Sequence, residues 1–267
     1  MLLRVSKIVG FDVRYLLNSG SWVVFRYLVL TILGFITSVA LARFTLPDIL
    51  GRYQFIISVI GIVSLLALPG LNTAALKTVV DGKRGGIRQA FLLALKGSFV
   101  AVIILAITAF ILTSQWDRGF FWGLLLSFVV LPLFWAPNHW YVFFEGRQDF
   151  AASSKRIILQ QAVLFTGLML VLFLLPSLPA ILLATFAIPA VFNTVYYFEV
   201  LKREGISDGQ VLDVRYGLAC TLQKASSVVV EATQPLLIAA TAGFASVAFY
   251  QVAYFLLEAR IRYRKEA

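Results

Sequence analysis

The chain has 267 residues, of which 60% are hydrophobic and only 13% are charged, about half the charged share of soluble domains. So few charges cannot cover a water-exposed surface, and the composition therefore excludes a soluble protein and predicts an integral membrane protein. One cysteine and one histidine argue against a disulfide framework or a zinc cluster, and the net charge of +10 is spread between apolar runs, which argues against nucleic acid as a partner.

The N-terminal segment, residues 1–20, is predicted to be amphipathic. Arg4, Lys7, Asp12 and Arg14 interrupt its apolar residues, so it lacks the uninterrupted apolar core of a signal peptide. Charged and apolar positions alternate irregularly along it, which favours a segment that lies on the inner membrane face.

Eight apolar runs follow, each close to the ~20 residues that a membrane-spanning helix needs. They are Ser21–Phe44, Tyr53–Val80, Arg88–Thr113, Gly119–Phe144, Lys155–Leu175, Pro179–Leu201, Tyr216–Ala242 and Phe244–Ala259. The runs lack the alternation of a membrane barrel, and lipid-exposed sheet edges are forbidden. The predicted fold is therefore an all-α, polytopic bundle of about eight transmembrane helices.

The basic residues predict the orientation of this bundle. With a cytoplasmic N-terminus, the inner side collects Arg4, Lys7, Arg14, Lys83, Arg84, Arg88, Arg147, Lys155, Arg156, Lys202, Arg203, Arg215, Arg260, Arg262, Arg264 and Lys265. The outer side holds only Arg43, Arg52 and Arg118. Positive residues concentrate on the cytoplasmic side, so both termini are expected there. The outer connections, such as the one around residues 47–51, are too short to form a soluble domain.

The first two helices have the motifs of a known family. These are Leu41-Ala42-Arg43, Pro47-Asp48, Gly51-Arg52-Tyr53, Gly70-Leu71-Asn72-Thr73-Ala74 and Lys77, followed later by Glu145–Phe150 and by helices within Tyr216–Leu256. In this respect the chain resembles bacterial polysaccharide (O-antigen type) flippases of the multidrug/oligosaccharidyl-lipid/polysaccharide exporter superfamily. The resemblance implies a transporter of the inner membrane with two six-helix lobes and no cofactor. It also implies an anionic lipid-linked oligosaccharide as substrate and other polysaccharide-assembly membrane proteins as partners.

An internal repeat agrees with a two-lobed plan. A shift of 197 residues places Tyr53 on Tyr250 and Gln54 on Gln251, so helices one and two overlay helices seven and eight. The few identities also allow a chance match. Parallel six-helix repeats are common in transporters, with the substrate path between the halves. We therefore expect a six-helix lobe over residues 21–201, a cytoplasmic linker over 202–215, and two helices of an incomplete second lobe over 216–267.

Lys224 and Glu231 are the first candidates for a functional site. Seven residues make almost two turns, so both side chains face one side of the seventh span, ~10 Å apart along its axis. A charge inside the membrane costs ~2.5–3.5 kcal/mol on insertion scales. A functional interpretation makes Lys224 a contact for an anionic substrate and Glu231 a carboxylate that couples transport to a proton or cation. The alternatives are a structural pair, or a Lys224 that reaches the inner interface.

Three further residues are candidates for the substrate path. Arg26 lies near the inner end of the first span, where it either reaches the interface or binds phosphate in bidentate fashion. The same alternatives hold for Lys77. Asn72 follows the helix break at Pro69-Gly70, and such a break is either a packing kink or part of a substrate site. The single histidine, His139, is either a proton relay or a packed, hydrogen-bonded residue.

Three functions are compatible with these features. The first is a flippase for polyprenyl-pyrophosphate sugars that works by alternating access between two lobes. The second is a drug or cation exporter of the same superfamily, but the acids up to residue 200 fall in loops or at span ends, which favours an anionic substrate. The third is a membrane-embedded sugar or phosphate transferase, which needs clustered acids or a paired base that the sequence lacks. We therefore expect a transporter and not an enzyme.

Overall fold

The computed structural model describes residues 13–112, 128–204 and 212–265, and these form helices without any strand. The helices are α1 (Val13–Phe44), α2 (Pro47–Val63), α3 (Leu71–Val80), α4 (Gly86–Leu112), α5 (128–135), α6 (Trp140–Gly146), α7 (Phe150–Leu174), α8 (Leu178–Glu204), α9 (Val214–Ala242) and α10 (Phe244–Lys265). The predicted all-α class is confirmed. Residues 1–12 of the predicted amphipathic segment, and 205–211 of the predicted linker, lie outside the described residues.

Six helical segments within this part of the chain are long and apolar enough to cross a membrane. They are Ser19–Phe44, Pro47–Ala67, Gly86–Ile107, Phe150–Leu174, Leu178–Glu204 and Val214–Ala242. Large apolar side chains also cover their outward faces, among them Phe35, Ile103, Leu170, Val195 and Leu222. An apolar outer surface of this kind is stable in lipid and not in water. The protein is therefore a polytopic helical membrane protein, as the composition predicted.

The second span differs from the prediction at its start. Residues 47–51 were expected to form a connection, but Pro47 and Asp48 lie in the first turn of α2. Proline at this position loses no helical hydrogen bond, and an acidic side chain here interacts favourably with the helix dipole. The helix therefore begins six residues before the predicted span at Tyr53.

The same span is broken in its C-terminal half. After α2, Ser64–Ala67 form a 3₁₀ turn, and Leu68 adopts a left-handed conformation with φ 56°. Pro69 lacks an amide hydrogen and disfavours α-helical geometry in the residue before it, so α2 cannot continue. The chain resumes as α3 at Leu71. The predicted run Tyr53–Val80 is thus two helices joined by a break.

A second break lies in the fourth predicted span, Gly119–Phe144, of which residues 119–127 are outside the described ranges. Here Ala136–His139 form a 3₁₀ turn that contains Pro137, between α5 and α6. By contrast, Pro189 and Pro235 remain inside α8 and α9, where both are buried against neighbouring helices. Packing of this kind explains why these two prolines do not end their helices.

The packing of α9 and α10 against α2 and α3 positions the candidate site. At the start of α2, Gly51 touches the backbone of Phe244, and a Cβ on Gly51 would lie 1.8 Å from the Phe244 carbonyl oxygen. At the break before α3, the Gly70 amide donates to Thr221 Oγ1 at 3.0 Å. A Cβ on Gly70 would lie 2.3 Å from the Gly217 carbonyl oxygen. Only glycine permits these two close approaches.

The loops that were predicted to face the cytoplasm meet at one end of the bundle. The Gly85 amide donates to Glu204 Oε1 at 3.1 Å, and Arg84 and Arg147 lie close enough to interact electrostatically with Glu204. Nearby, Arg156 donates to both carboxylate oxygens of Glu199, at 2.7 and 3.2 Å. Basic loops from distant parts of the sequence are therefore adjacent in the fold.

Candidate functional site

A groove of about 350 Å³ lies between α2, α9 and α10. Its lining residues are Gln54, Ile57, Ser58, Gly61, Ser64, Val228, Glu231, Ala232, Pro235 and Gln251. One end of α2 is fixed by the Gly51–Phe244 contact, and the break that follows α2 is fixed by the contact of Gly70 with α9. The groove lies along the helix between these two contacts.

The register of α9 places its one polar lining residue, Glu231, in the groove. This helix buries Gly217, Thr221, Ala232 and Pro235, which repeat at helical spacing and form one face. Lys224 and Glu231 lie beside that face and are exposed. Glu231 lines the groove, and seven residues separate it from Lys224, which agrees with their predicted common side.

Lys224 and Glu231 do not form an ion pair with each other. Neither side chain has a partner of opposite charge among the described residues. The structure thus disfavours the structural-pair interpretation of these two residues. Their roles in substrate binding and ion coupling remain predictions.

Gln54 and Gln251 also line a second cavity, of about 380 Å³, between α1, α2 and α10. Its other lining residues are Phe35, Ser38, Val39, Leu41, Ala42, Arg43, Leu50 and Val252. The lining of this cavity is mainly apolar, whereas the lining of the groove is partly polar. The two glutamines therefore line both spaces. They are the residues that the 197-residue shift superimposes.

Arg26 lies in a buried polar cluster. It is 9% exposed, and its Nη1 donates to Glu145 Oε1 at 2.9 Å. The Ser153 hydroxyl donates to the same carboxylate oxygen at 3.4 Å. The guanidinium of Arg26 therefore has a carboxylate partner, and its predicted roles at the interface or in phosphate binding remain predictions.

Asn72 joins this cluster to the second helix break. Its side-chain oxygen is hydrogen-bonded to His139 Nδ1, and its side chain also forms a hydrogen bond with Tyr141. Tyr141 interacts electrostatically with Arg26 and Glu145. Two helix breaks and the first span are thus connected through polar side chains. His139 is hydrogen-bonded, which was one of the two interpretations offered for it.

Lys77 lies apart from this cluster, on the side of α3 that faces α9. It is exposed, and its ammonium group lies 5.7 Å from the ring centroid of Tyr216. Tyr216 precedes Lys224 by eight residues, or ~12 Å along α9. The structure therefore brings Lys77 to the same helix as Lys224 and Glu231, while Arg26 and Asn72 belong to the separate cluster around Tyr141.

Sequence reasoning missed two kinds of residue. It did not identify Glu145 as the partner of Arg26, because the two are 119 positions apart and no local pattern connects them. It also did not assign Gln54 and Gln251 to a site, although the repeat had already aligned them. Within the described ranges, no cluster of three or more histidine, cysteine or acidic side chains is arranged to hold a metal ion.

A family model described as polysaccharide biosynthesis protein matches residues 16–261. This match covers both the helices before the predicted linker and the two after it. No curated protein and no solved structure matches the chain.

Proposed function

We propose that this chain transports lipid-linked oligosaccharides across the bacterial inner membrane. The chain belongs to the polysaccharide biosynthesis protein family, and this membership is the basis of the proposal. The cargo is a polyprenyl-pyrophosphate sugar that moves from the inner to the outer leaflet for polysaccharide or O-antigen export. Both termini are cytoplasmic in this proposal, since the loops with most basic residues gather at one end of the bundle.

The observation that supports this proposal most strongly is the position of Lys224. It is exposed on a helix that is otherwise apolar enough to span a membrane, and no acid pairs with it among the described residues. An unpaired charge in a span is costly unless it faces water or an anionic ligand. The pyrophosphate of the cargo is such a ligand, and Lys77 supplies a second cation along the same helix.

The pairing of Arg26 with Glu145 changes the role that we propose for this arginine. A guanidinium that already holds a carboxylate must exchange that partner before it can bind a phosphate. Arg26 therefore binds the pyrophosphate only when the cargo displaces Glu145 from its guanidinium. Asn72 participates through Tyr141, which lies close to both members of the pair.

The transport cycle is alternating access between two sets of helices. The set α1–α8 and the pair α9–α10 meet along α2 and α3, and relative rocking there opens the groove to one leaflet at a time. Glu231 lines the groove without a cationic partner, so it is our candidate for the carboxylate that couples the cycle to protons or another cation.

The test is a flipping assay with the intact protein in liposomes. A fluorescent polyprenyl-pyrophosphate oligosaccharide is placed in one leaflet, and its arrival in the other is measured for wild type, Lys224→Ala and Arg26→Ala. Loss of one charged contact to phosphate should slow flipping about 10-fold. Lys96→Ala is the matched control, because Lys96 is also an exposed lysine in a span, on α4.

Each outcome distinguishes the candidate functions. If both variants flip as fast as Lys96→Ala, the cationic path is wrong. If the wild-type protein moves no lipid-linked sugar but exports a cationic dye, the alternative of a multidrug or cation exporter is correct. Chemical alteration of the labelled lipid instead of its movement would favour a membrane-embedded transferase.

A further inference from the structure

The groove between α2, α9 and α10 has the chemistry of a sugar-binding site. Its polar lining consists of two amides, two hydroxyls and one carboxylate, and none of its lining residues is a cation. A pyrophosphate needs cations, so the groove is unsuited to that part of the proposed cargo. Amides, hydroxyls and a carboxylate are the groups that hydrogen-bond sugar hydroxyls.

The two amides are available for a ligand. Gln54 and Gln251 are half-buried, and neither side chain has a hydrogen-bond partner within the described part of the protein. Each amide has two donor hydrogens and an acceptor oxygen, and polar groups that are partly removed from water are normally paired. Two unpaired amides on opposing helices match a ligand that offers several adjacent hydroxyl groups.

Ser58 and Ser64 restrict which hydrogen-bonding groups a ligand in the groove can have. The Ser58 hydroxyl donates to the Gln54 carbonyl oxygen at 2.9 Å, and the Ser64 hydroxyl donates to the Gly61 carbonyl oxygen at 2.5 Å. Their hydrogens are therefore used inside α2 and its 3₁₀ extension, and towards a ligand these hydroxyls can act only as acceptors. Sugar hydroxyls can donate to these oxygens, whereas ionised carboxylates and fully ionised phosphates cannot.

Glu231 determines the charge that the ligand can have. It accepts hydrogen bonds from hydroxyl groups, but its negative charge repels the carboxylate of an acidic sugar at close range. Lys224 lies ~10 Å further along α9, on the same side. A cargo with its pyrophosphate at Lys224 therefore extends its sugars towards Glu231 and the glutamines.

We infer that this groove is a glycan subsite that binds neutral sugars through Gln54, Gln251 and Glu231 and rejects acidic ones. This inference rests on the proposed function, since it assigns the substrate class of the same path. In this inference the lysines bind the pyrophosphate, and the groove selects the sugar.

The first experiment compares two cargos in the liposome assay. One is a polyprenyl-pyrophosphate linked to a neutral oligosaccharide, and the other has a uronic acid in place of one neutral sugar. We expect wild type to flip the neutral cargo at least about 10-fold faster. Glu231→Gln should reduce this ratio several-fold, whatever it does to the absolute rates. A role in ion coupling alone lowers both rates equally and leaves the ratio unchanged.

The glutamines are tested by Gln54→Leu and Gln251→Leu, which keep the size of the side chain and remove its hydrogen bonds. Each should slow flipping of the neutral cargo roughly 5- to 10-fold. Gln161→Leu is the control, because Gln161 is a half-buried glutamine on α7 that lines neither cavity. Gln54→Asn and Gln251→Asn, which retain an amide, provide a second pair in case the leucine variants do not fold.

Binding is then measured independently of transport. Saturation-transfer NMR on the purified protein uses the free neutral oligosaccharide and its uronic-acid analogue as probes. We expect signal transfer to the neutral probe, loss of that transfer in Gln251→Leu, and little transfer to the acidic probe. Binding without flipping would support the subsite and refute the proposed transport function. Flipping at equal rates for both cargos, or glutamine variants that behave like Gln161→Leu, would overturn the subsite and leave the transport function standing.

Discussion

The contact of Gly70 with α9 gives a prediction whose size follows from the structure. In Gly70→Ala the new methyl group would lie 2.3 Å from both the Gly217 carbonyl oxygen and the Thr221 amide nitrogen. Both atoms belong to helix backbone, so α9 must move away by about 1 Å or more. Such overpacking typically costs ~1–3 kcal/mol. The movement also lengthens the 3.0 Å hydrogen bond from Gly70 to Thr221, at about 1 kcal/mol.

We therefore expect Gly70→Ala to lower the free energy of unfolding by about 2–4 kcal/mol. The assay is equilibrium unfolding of the purified protein in mixed micelles, followed by tryptophan fluorescence. Gly34→Ala is the matched control, because a Cβ on Gly34 meets no atom within 4 Å. Alanine there should be neutral or stabilising by up to ~1 kcal/mol, since it favours the helix. Equal stabilities of the two variants would refute the close contact between α9 and the break.

Two further predictions concern the buried polar cluster. Arg26→Gln should destabilise the protein by about 3 kcal/mol in the same unfolding assay, because it leaves the Glu145 carboxylate without its cation, and the double variant with Glu145→Gln should recover most of this loss. If the double variant is as unstable as Arg26→Gln alone, loss of the Arg26–Glu145 pair does not explain the destabilisation. Asn72→Leu should cost about 1–3 kcal/mol because it removes the acceptor of the buried His139, and this loss should be absent in a background where His139 is already phenylalanine.

Helix type and most span positions were predictable because the apolar runs are long and uniform. Their ends depend on weaker, local effects. The early start of α2 at Pro47 was missed although its signal was present, since proline and aspartate in sequence are typical of a first helical turn as well as of a loop. The break at Leu68–Gly70 was visible as Pro69-Gly70, but its division into a 3₁₀ turn and a left-handed residue was not.

The residues that pair across the fold were the least predictable. Charge patterning placed Arg26 inside a span and Glu145 just beyond one, yet only the fold shows that they meet. The common side of Lys224 and Glu231 on α9 was easier to predict, because residues seven positions apart lie on the same side of any α-helix. The position of Gln54 and Gln251 was partly predictable. The repeat aligned them, but whether aligned residues also meet depends on how the two parts of the chain pack.

The glycine contacts at both ends of the groove also constrain how the protein can evolve. At Gly51 and Gly70, a side chain acquired on one side of the interface requires backbone movement on the other side. Substitutions at Gly51 and Gly70 are therefore tolerated only when α10 and α9 change with them. A chimera that joins the first eight helices of one relative to later helices of another should assemble only if both parents share these contacts. Helices on the two sides of this interface should accordingly be inherited as a unit, and not exchanged one at a time.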